Sequence, residues 1–407
     1  MPVPMKKSSH GTREKIVLNS VESDGGSRRK KIGTGMLGYA FMGRAHTNAF
    51  IQFPFIFPGS PAPRLRAIAG RSESAVKTAA ENFGYEKYYT NWQDLVKDDG
   101  VKVVDNGLPN NLHEEPCIAA AELGKDLICE KPLGRNAKES ERMLRAARKA
   151  GIKHMVGYNY RFIPAIRLAR QLIEDGSIGK VLEFRAAYLQ DWIIEPEFPL
   201  VWRLRKSIAG SGVLGDLGTH IIDLGRFLVG DIDSTVGMTK TFIQERPLPE
   251  DKTRTGKVDV DDAFIALLKF KSGVIGSVEA SRFCAGRKNF QRIEVHGTEG
   301  SLFFNLERLN ELDYYSSNDG QEKRGFRTIS ATEPVHAYAK NWWPPGHVLG
   351  WEHPMVHEMF HFFTAVAEDK PVEPWGATFY DGLMADKVTD AISRSTETDR
   401  WESITGV

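Results

Sequence analysis

Two short stretches far apart in the chain hold the side chains able to move a proton and stabilise charge. In the first, Glu130-Lys131-Pro132 directly follows the apolar run 126–129. A lysine just past the carboxyl end of a buried strand stands at the crevice where open α/β sheets bind ligands. Its ammonium group could stabilise negative charge developing on an oxygen. In the second, Leu214 to Val229, Asp216 and His220 are four apart and so share one face of a helix, while Leu217, Ile221, Leu224 and Leu228 form an apolar stripe. An imidazole with an ordinary pKa near ~6.5 can take a proton around neutral pH, and a carboxylate beside it can orient the ring or hold a hydroxyl. Taken singly, Lys131 could be a surface lysine and Asp216 with His220 an ordinary helix pair. Brought together, they could move a proton and stabilise charge at one site.

A glycine-rich turn upstream could hold a nicotinamide cofactor. Two registers of G-x-G-x-x-G overlap: Gly33, Gly35, Gly38, and Gly38, Ala40, Gly43. The earlier register needs Arg-Arg-Lys-Lys-Ile as a buried central strand, so the later one is preferred, with residues 32–37 as strand and a helix from Met42. Gly38 then makes the tight turn, Ala40 lets the backbone approach a pyrophosphate, and Gly43 lets helix and strand pack closely. Phe41 and Met42 belong to the same turn. At the end of the second strand, Arg71 and Ser72 would tolerate a 2'-phosphate, Arg71 could equally stack on adenine, and Glu73 could reach a ribose diol, so NAD and NADP both stay open. Leu108, Pro109, Asn110 and His113 form a further turn, placed to line a nicotinamide ribose.

A competing motif is His357-Glu358-Met359-Phe360-His361, which matches H-E-x-x-H and could hold zinc on a helix. The surrounding segment, 356–367, reads instead as an amphipathic packing helix burying Met359, Phe360, Phe363 and Val366.

Positioning these groups takes alternating strands and helices. Apolar runs at 32–37, 65–69, 101–105, 126–129 and 152–156 alternate with helical patterns at 73–83, 114–123 and 136–150, as in βαβ units around a doubly wound parallel sheet, a Rossmann arrangement. Residues 1–29, polar and basic, read as a disordered tail. Arg28-Arg29 is a weak export signal because no apolar stretch of about 7 to 15 residues follows. With 54 basic and 53 acidic side chains, there is no global field for nucleic acid, and no run reaches the roughly 18 apolar residues of a membrane span. Cys117, Cys129 and Cys284, odd in number and far apart, indicate neither disulfides nor a thiolate metal site. A cytoplasmic location and a small, near-neutral ligand are expected.

Gly38-Tyr-Ala-Phe-Met-Gly43-Arg-Ala-His46, Leu108-Pro-Asn-Asn-Leu-His113, Glu130-Lys-Pro132 and Gly215-Asp-Leu-Gly-Thr-His220-Ile-Ile-Asp223 together resemble the glucose-fructose oxidoreductase, inositol dehydrogenase and rhizopine-catabolism family, over about residues 30–405. Residues 189–192, 202–203 and 206–212 resemble its levoglucosan-dehydrogenase-like branch, whose members oxidise the C3 hydroxyl of glucose-like rings. The resemblance implies a NAD(P)-binding Rossmann domain at 30–157 and, at 158–407, an α/β domain whose large, mostly antiparallel open sheet binds substrate and forms a homo-oligomer, dimer or tetramer. Strand-like segments at 181–190, 236–243, 260–271, 274–282 and 290–296 are compatible with it.

The resemblance also implies Lys131, Asp216 and His220 as the catalytic set, with Glu130 orienting Lys131 or the cofactor. A carbohydrate substrate would meet Lys131, Asp216 and His220 together with Tyr160 at the domain junction, Gln190, Trp192 and Arg203. An indole face with amide and guanidinium groups suits a pyranose. Tyr158 lies at the same junction, and the Trp342-Trp343-Pro344-Pro345 segment is a candidate lid. Redox-assisted glycoside cleavage with recycled NAD, and a non-catalytic nicotinamide or sugar sensor, are the alternative functions.

Overall fold

A computed structural model describes residues 29–404; the expected tail lies outside them apart from Arg29. The first half forms a six-stranded sheet: β1 (Lys31–Leu37), β2 (Ala62–Ala69), β3 (Lys87–Tyr89), β4 (Val103–Asn106), β5 (Asp126–Cys129) and β6 (His154–Val156), in the order 3-2-1-4-5-6. Every neighbouring pair is parallel. Strand order reverses between β1 and β4, so the crevice beyond their carboxyl ends opens beside Gly38, Gly107 and Glu130. The later glycine register holds, because β1 runs to Leu37 and the next helix is Phe41–Ile56. Strand β3 and the short helix Trp92–Lys97 were not expected; three to six residues are too few for periodicity to register.

The second half builds a nine-stranded sheet, ordered Arg327–Ser330, Glu311–Ser316, Gly300–Asn305, Phe290–Gly297, Val181–Leu189, Ile275–Ser281, Ala263–Phe270, Ile232–Lys240, Glu402–Ser403. Only the contact between Val181–Leu189 and Ile275–Ser281 is parallel. All five expected strands are present; three are shortened by one to four residues, Ile232–Lys240 begins four residues early and ends three early, and Phe290–Gly297 runs one residue longer. The added ones are flanking strands, where Glu311 and Asp313 break the apolar reading.

Helices Thr219–Val229 and Phe379–Thr398 cover one face of this sheet. The other face leaves Met238, Ile265, Leu267 and Ile275 exposed. A single apolar core runs through both halves, joining Leu37, Cys129 and Tyr158 to Phe184, Ile221 and Phe264. A second cluster packs helix Phe41–Ile56 against helix His353–Glu368, with Phe50 edge-on to Phe363 and Phe57 stacked on Phe360 at 4.0 Å. Among the described residues no helix is long and apolar enough to cross a membrane.

Candidate active site

The nucleotide side of the crevice begins where β1 ends. Gly38 has φ +97°, a conformation that side chains oppose. At Gly43 a Cβ would meet Gly38 O at 2.2 Å, so the helix can pack this close to the turn only with glycine there. Helix Phe41–Ile56 carries no acidic side chain in its first turn, which leaves its free N–H groups open to an anion. Ala40, Phe41, Met42, Leu108, Pro109 and Asn110 line a cavity of about 730 Å³. This turn and wall fit a dinucleotide.

Three of the expected cofactor contacts sit elsewhere. Arg71 and Ser72 are exposed beyond β2, outside the cavity wall, where Ser72 is the N-cap of helix Glu73–Phe83. His113 is fully buried, with Nδ1 2.9 Å from Pro132 O and Nε2 2.8 Å from Leu108 O. It braces two loops of the crevice from beneath. Burial lowers its pKa, against the pull of those carbonyls.

Lys131 and Asp216 come from different halves of the chain and meet at the cavity. Lys131 Nζ donates to Asp216 O at 2.7 Å and to Asp216 Oδ1 at 3.2 Å. The expected uninterrupted α-helix is not formed here: Leu214–Gly218 is a π-turn, and the α-helix starts at Thr219. The π-turn still leaves both Asp216 and His220 on the cavity wall. Instead of orienting the imidazole, the Asp216 carboxylate faces Lys131 and, at 3.8 Å, Arg282 Nη1. Burial opposes its charge, but Lys131, Arg203 and Arg282 overcome that and pull its carboxyl down to about 2.

His220 lies on the cavity wall between aromatic rings, 4.7 Å from the Tyr160 centroid and edge-to-face with Tyr158 at 5.9 Å. Burial, together with the charge of Lys131, holds it well below the ordinary imidazole range despite Asp216. The ring is therefore neutral throughout the neutral range, and Nδ1 has no hydrogen-bond partner among the described residues. The expected titration near 6.5 does not survive this environment.

A hydrogen-bonded row forms the opposite wall. Trp351 Nε1 donates to Tyr160 OH at 3.4 Å, Tyr160 and Tyr188 hydroxyls are 2.8 Å apart, and Tyr188 OH and Gln190 Nε2 both donate to Asn289 Oδ1 at 2.8 Å. Trp192, Trp202 and Arg203 complete it, with Arg203 over the Trp202 ring and Arg282 over Trp192. Tyr188, Asn289, Trp351 and Arg282 were missed. Tyr188 shares a strand face with Gln190 and so was findable, whereas pairing of Phe290 with Leu189 brings Asn289 there only through sheet register.

Trp342, expected as part of a lid, donates to His357 Nε2 at 2.7 Å and packs on His353, outside the cavity wall. The rim is formed by Trp351, stacked on Phe41 at 5.5 Å. Both nitrogens of His357 are engaged, Nδ1 with Phe162 O, and His361 Nε2 contacts Val372 O. The H-E-x-x-H segment is thus a packing helix, and among the described residues no group of three or more His, Cys, Asp or Glu could hold a metal.

Comparison with known proteins agrees with this architecture. Residues 32–158 match an oxidoreductase family with an NAD-binding Rossmann fold, and residues 166–303 match the GFO/IDH/MocA C-terminal domain. Levoglucosan dehydrogenase of Pseudarthrobacter phenanthrenivorans is 42% identical over 388 residues, spanning 92% of this chain and 98% of that protein. A structure of levoglucosan dehydrogenase in complex with NADH and L-sorbose aligns with TM-score 0.90 at 42% identity, over 93% of this chain and 100% of that one. An oxidoreductase domain protein from Kribbella flavida aligns with TM-score 0.88 at 47% identity, over 92% and 100%. The chain belongs to the GFO/IDH/MocA family of NAD-binding oxidoreductases.

Proposed function

We propose that this chain is an NAD-dependent sugar dehydrogenase that oxidises a secondary ring hydroxyl, at C3, of a glucose-like sugar, anhydrosugar or glycoside. The observation that carries the reading is the meeting of Lys131 with Asp216 beside His220, in a cavity with a dinucleotide turn on one wall and indole, amide and guanidinium groups on the other. Such a wall offers a pyranose both an apolar face and a hydrogen-bonding rim. Likeness to levoglucosan dehydrogenase supports the substrate class.

The bound nicotinamide would accept the hydride. Within the chain, Lys131 holds the substrate oxygen and offsets the negative charge that grows on it as the carbon–hydrogen bond breaks. His220, neutral and on the cavity wall, takes the hydroxyl proton, leaving a ketone. Hydride departure removes one positive charge from the cleft, so the imidazolium is better tolerated after the transfer than before it. Asp216 holds Lys131 in place.

The decisive experiment incubates purified protein with NAD or NADP and a panel of levoglucosan, glucose, inositols and aryl or C-linked glucosides, following absorbance of the reduced nicotinamide. Reduction of the keto product with borodeuteride then locates the oxidised carbon. Deuterium at C3 of a glucose-like product supports the assignment, and label elsewhere or no activity across the panel overturns it. The exposed Met238, Ile265, Leu267 and Ile275 further support a homo-oligomer through the open face of the nine-stranded sheet.

A further inference from the structure

Behind Lys131 lies a closed group of charged side chains with no part in the steps above. His46, on helix Phe41–Ile56, is 1% exposed and stands between two carboxylates. Its Nδ1 is 2.7 Å from Asp105 Oδ2, and its Nε2 is 2.9 Å from Glu130 Oε1. Nδ1 is hydrogen-bonded to Asp105, whereas Nε2 approaches Glu130 as an ion-pair contact without an aligned hydrogen bond among the described residues. Asp105 is buried in β4, and Glu130 follows β5 on the cavity wall. The other Glu130 oxygen accepts the backbone N–H of Lys131 at 3.2 Å. Gly157 keeps this carboxylate in place: a Cβ there would come within 2.7 Å of Glu130 Oε1.

The surroundings complete the charge inventory. Glu358, on helix His353–Glu368, is 1% exposed with no hydrogen bond at either oxygen among the described residues. Burial pushes its carboxyl well up, helped by Glu130 and Asp105 and opposed by His46, so it is a neutral acid. His113, neutral, and Tyr85, kept protonated by burial, face the same group. His46 is then the one cation among Asp105, Glu130 and the uncharged Glu358, with Lys131 on the cavity side. Asp105 and Glu130 outweigh burial and raise His46, burial raises the Asp105 carboxyl against the pull of His46, and Glu130 is held low by His46 against its own burial.

We propose that His46 is a positioning residue for the hydride-transfer step: clamped between Asp105 and Glu130, it keeps Glu130 ionised at the cavity wall, where that charge anchors the Lys131 backbone and favours a positively charged nicotinamide over its reduced form. The proposal rests on the role assigned above to Lys131. A single misplaced proton on Glu130 would loosen the lysine anchor and reverse the preference at once.

His46→Gln and Glu130→Gln test it, each measured for the pH profile of kcat with levoglucosan and for NAD and NADH affinities by tryptophan fluorescence. In His46→Gln the acid limb moves up by about one pH unit, activity recovers at alkaline pH, and the affinity ratio shifts about tenfold toward NADH. Glu130→Gln gives the same ratio shift, and the double variant adds little. An unchanged acid limb and ratio in folded His46→Gln overturn the proposal, as does a pH-independent loss equal for both cofactor forms. Should His46→Gln fail to fold, the ratio in Glu130→Gln decides: unchanged, it overturns the proposal as well. Lys131→Met separates the two readings. If it is inactive while His46→Gln behaves as wild type, only the His46 proposal falls; if it remains fully active, the assignment of Lys131 falls first.

Discussion

Replacing Lys131 with methionine keeps most of the apolar stem and removes the charge. In the folded chain that ammonium group donates to Asp216 O at 2.7 Å and lies 3.2 Å from Asp216 Oδ1. Two unit charges at that separation attract by roughly 5 kcal/mol at an effective dielectric near 20, so the variant first loses the cation that best holds Asp216 ionised. With Arg203 and Arg282 alone facing it, the Asp216 carboxyl rises from about 2. The larger effect falls on the reacting oxygen. Loss of one preorganised charge-stabilising group costs about 2.7–4 kcal/mol, a fall of ~10²–10³ in kcat. Steady-state rates with levoglucosan and NAD, beside titration of NADH by tryptophan fluorescence, separate that step from binding. The expected result is kcat lower by about 10³, with KM for the sugar within about fivefold and NADH still bound. A variant that keeps kcat within about tenfold, or whose loss lies wholly in KM, refutes the placing of Lys131 at the reacting oxygen.

Other perturbations reach the scaffold. Asp386 is fully buried, accepts from Ser140 Oγ and Gly134 N, and is pushed by burial up to about 8. Its folded value exceeds the unfolded one, so its stabilising contribution is complete below about pH 4 and is lost as pH rises toward 8, by up to about 1.4 kcal/mol per unit. Thermal melts should show Asp386→Asn gaining on the wild type steadily from pH 5 to pH 8; a constant difference would contradict this. Gly43→Ala forces a Cβ against Gly38 O, so isothermal titration should show NADH affinity down at least about tenfold, with about 1–3 kcal/mol lost in denaturant melts. Ile265→Glu with Leu267→Glu places two charges on the open sheet face, and light scattering should then report a smaller species that remains folded.

How far the sequence reveals the site depends on what each residue needs. Lys131 could be found because a strand end fixes its position locally, and Gly38 and Gly43 because a tight turn admits few residue types. Asp216 was found by its spacing from His220, and both line the cavity, although nothing in Leu214-Gly-Asp-Leu-Gly218 announces a π-turn over an α-turn. Arg71 and Ser72 were chosen for the end of the second strand and stand just beyond it, exposed and off the cavity wall. His113 has the right neighbours and the wrong depth: a histidine in a loop reads as a ligand contact, and burial is settled by tertiary packing. Asn289 and Trp351 reach the wall through sheet register and the segment leading into helix His353–Glu368, neither of which short-range pattern encodes.

The continuity of the apolar core has a consequence for how ligands come and go. Leu37 and Cys129 share one packed interior with Phe184 and Phe264, and Lys131 is tied to Asp216 across the same boundary. Separating the two sheets like a clamshell would expose that interior and strip Lys131 and Asp216 of each other's charge, a change of unfolding magnitude rather than of breathing. At the rim of the cavity, Phe41 is 64% exposed and stacks on Trp351, so the part of the wall that faces solvent is a pair of side chains and not the joint between the sheets.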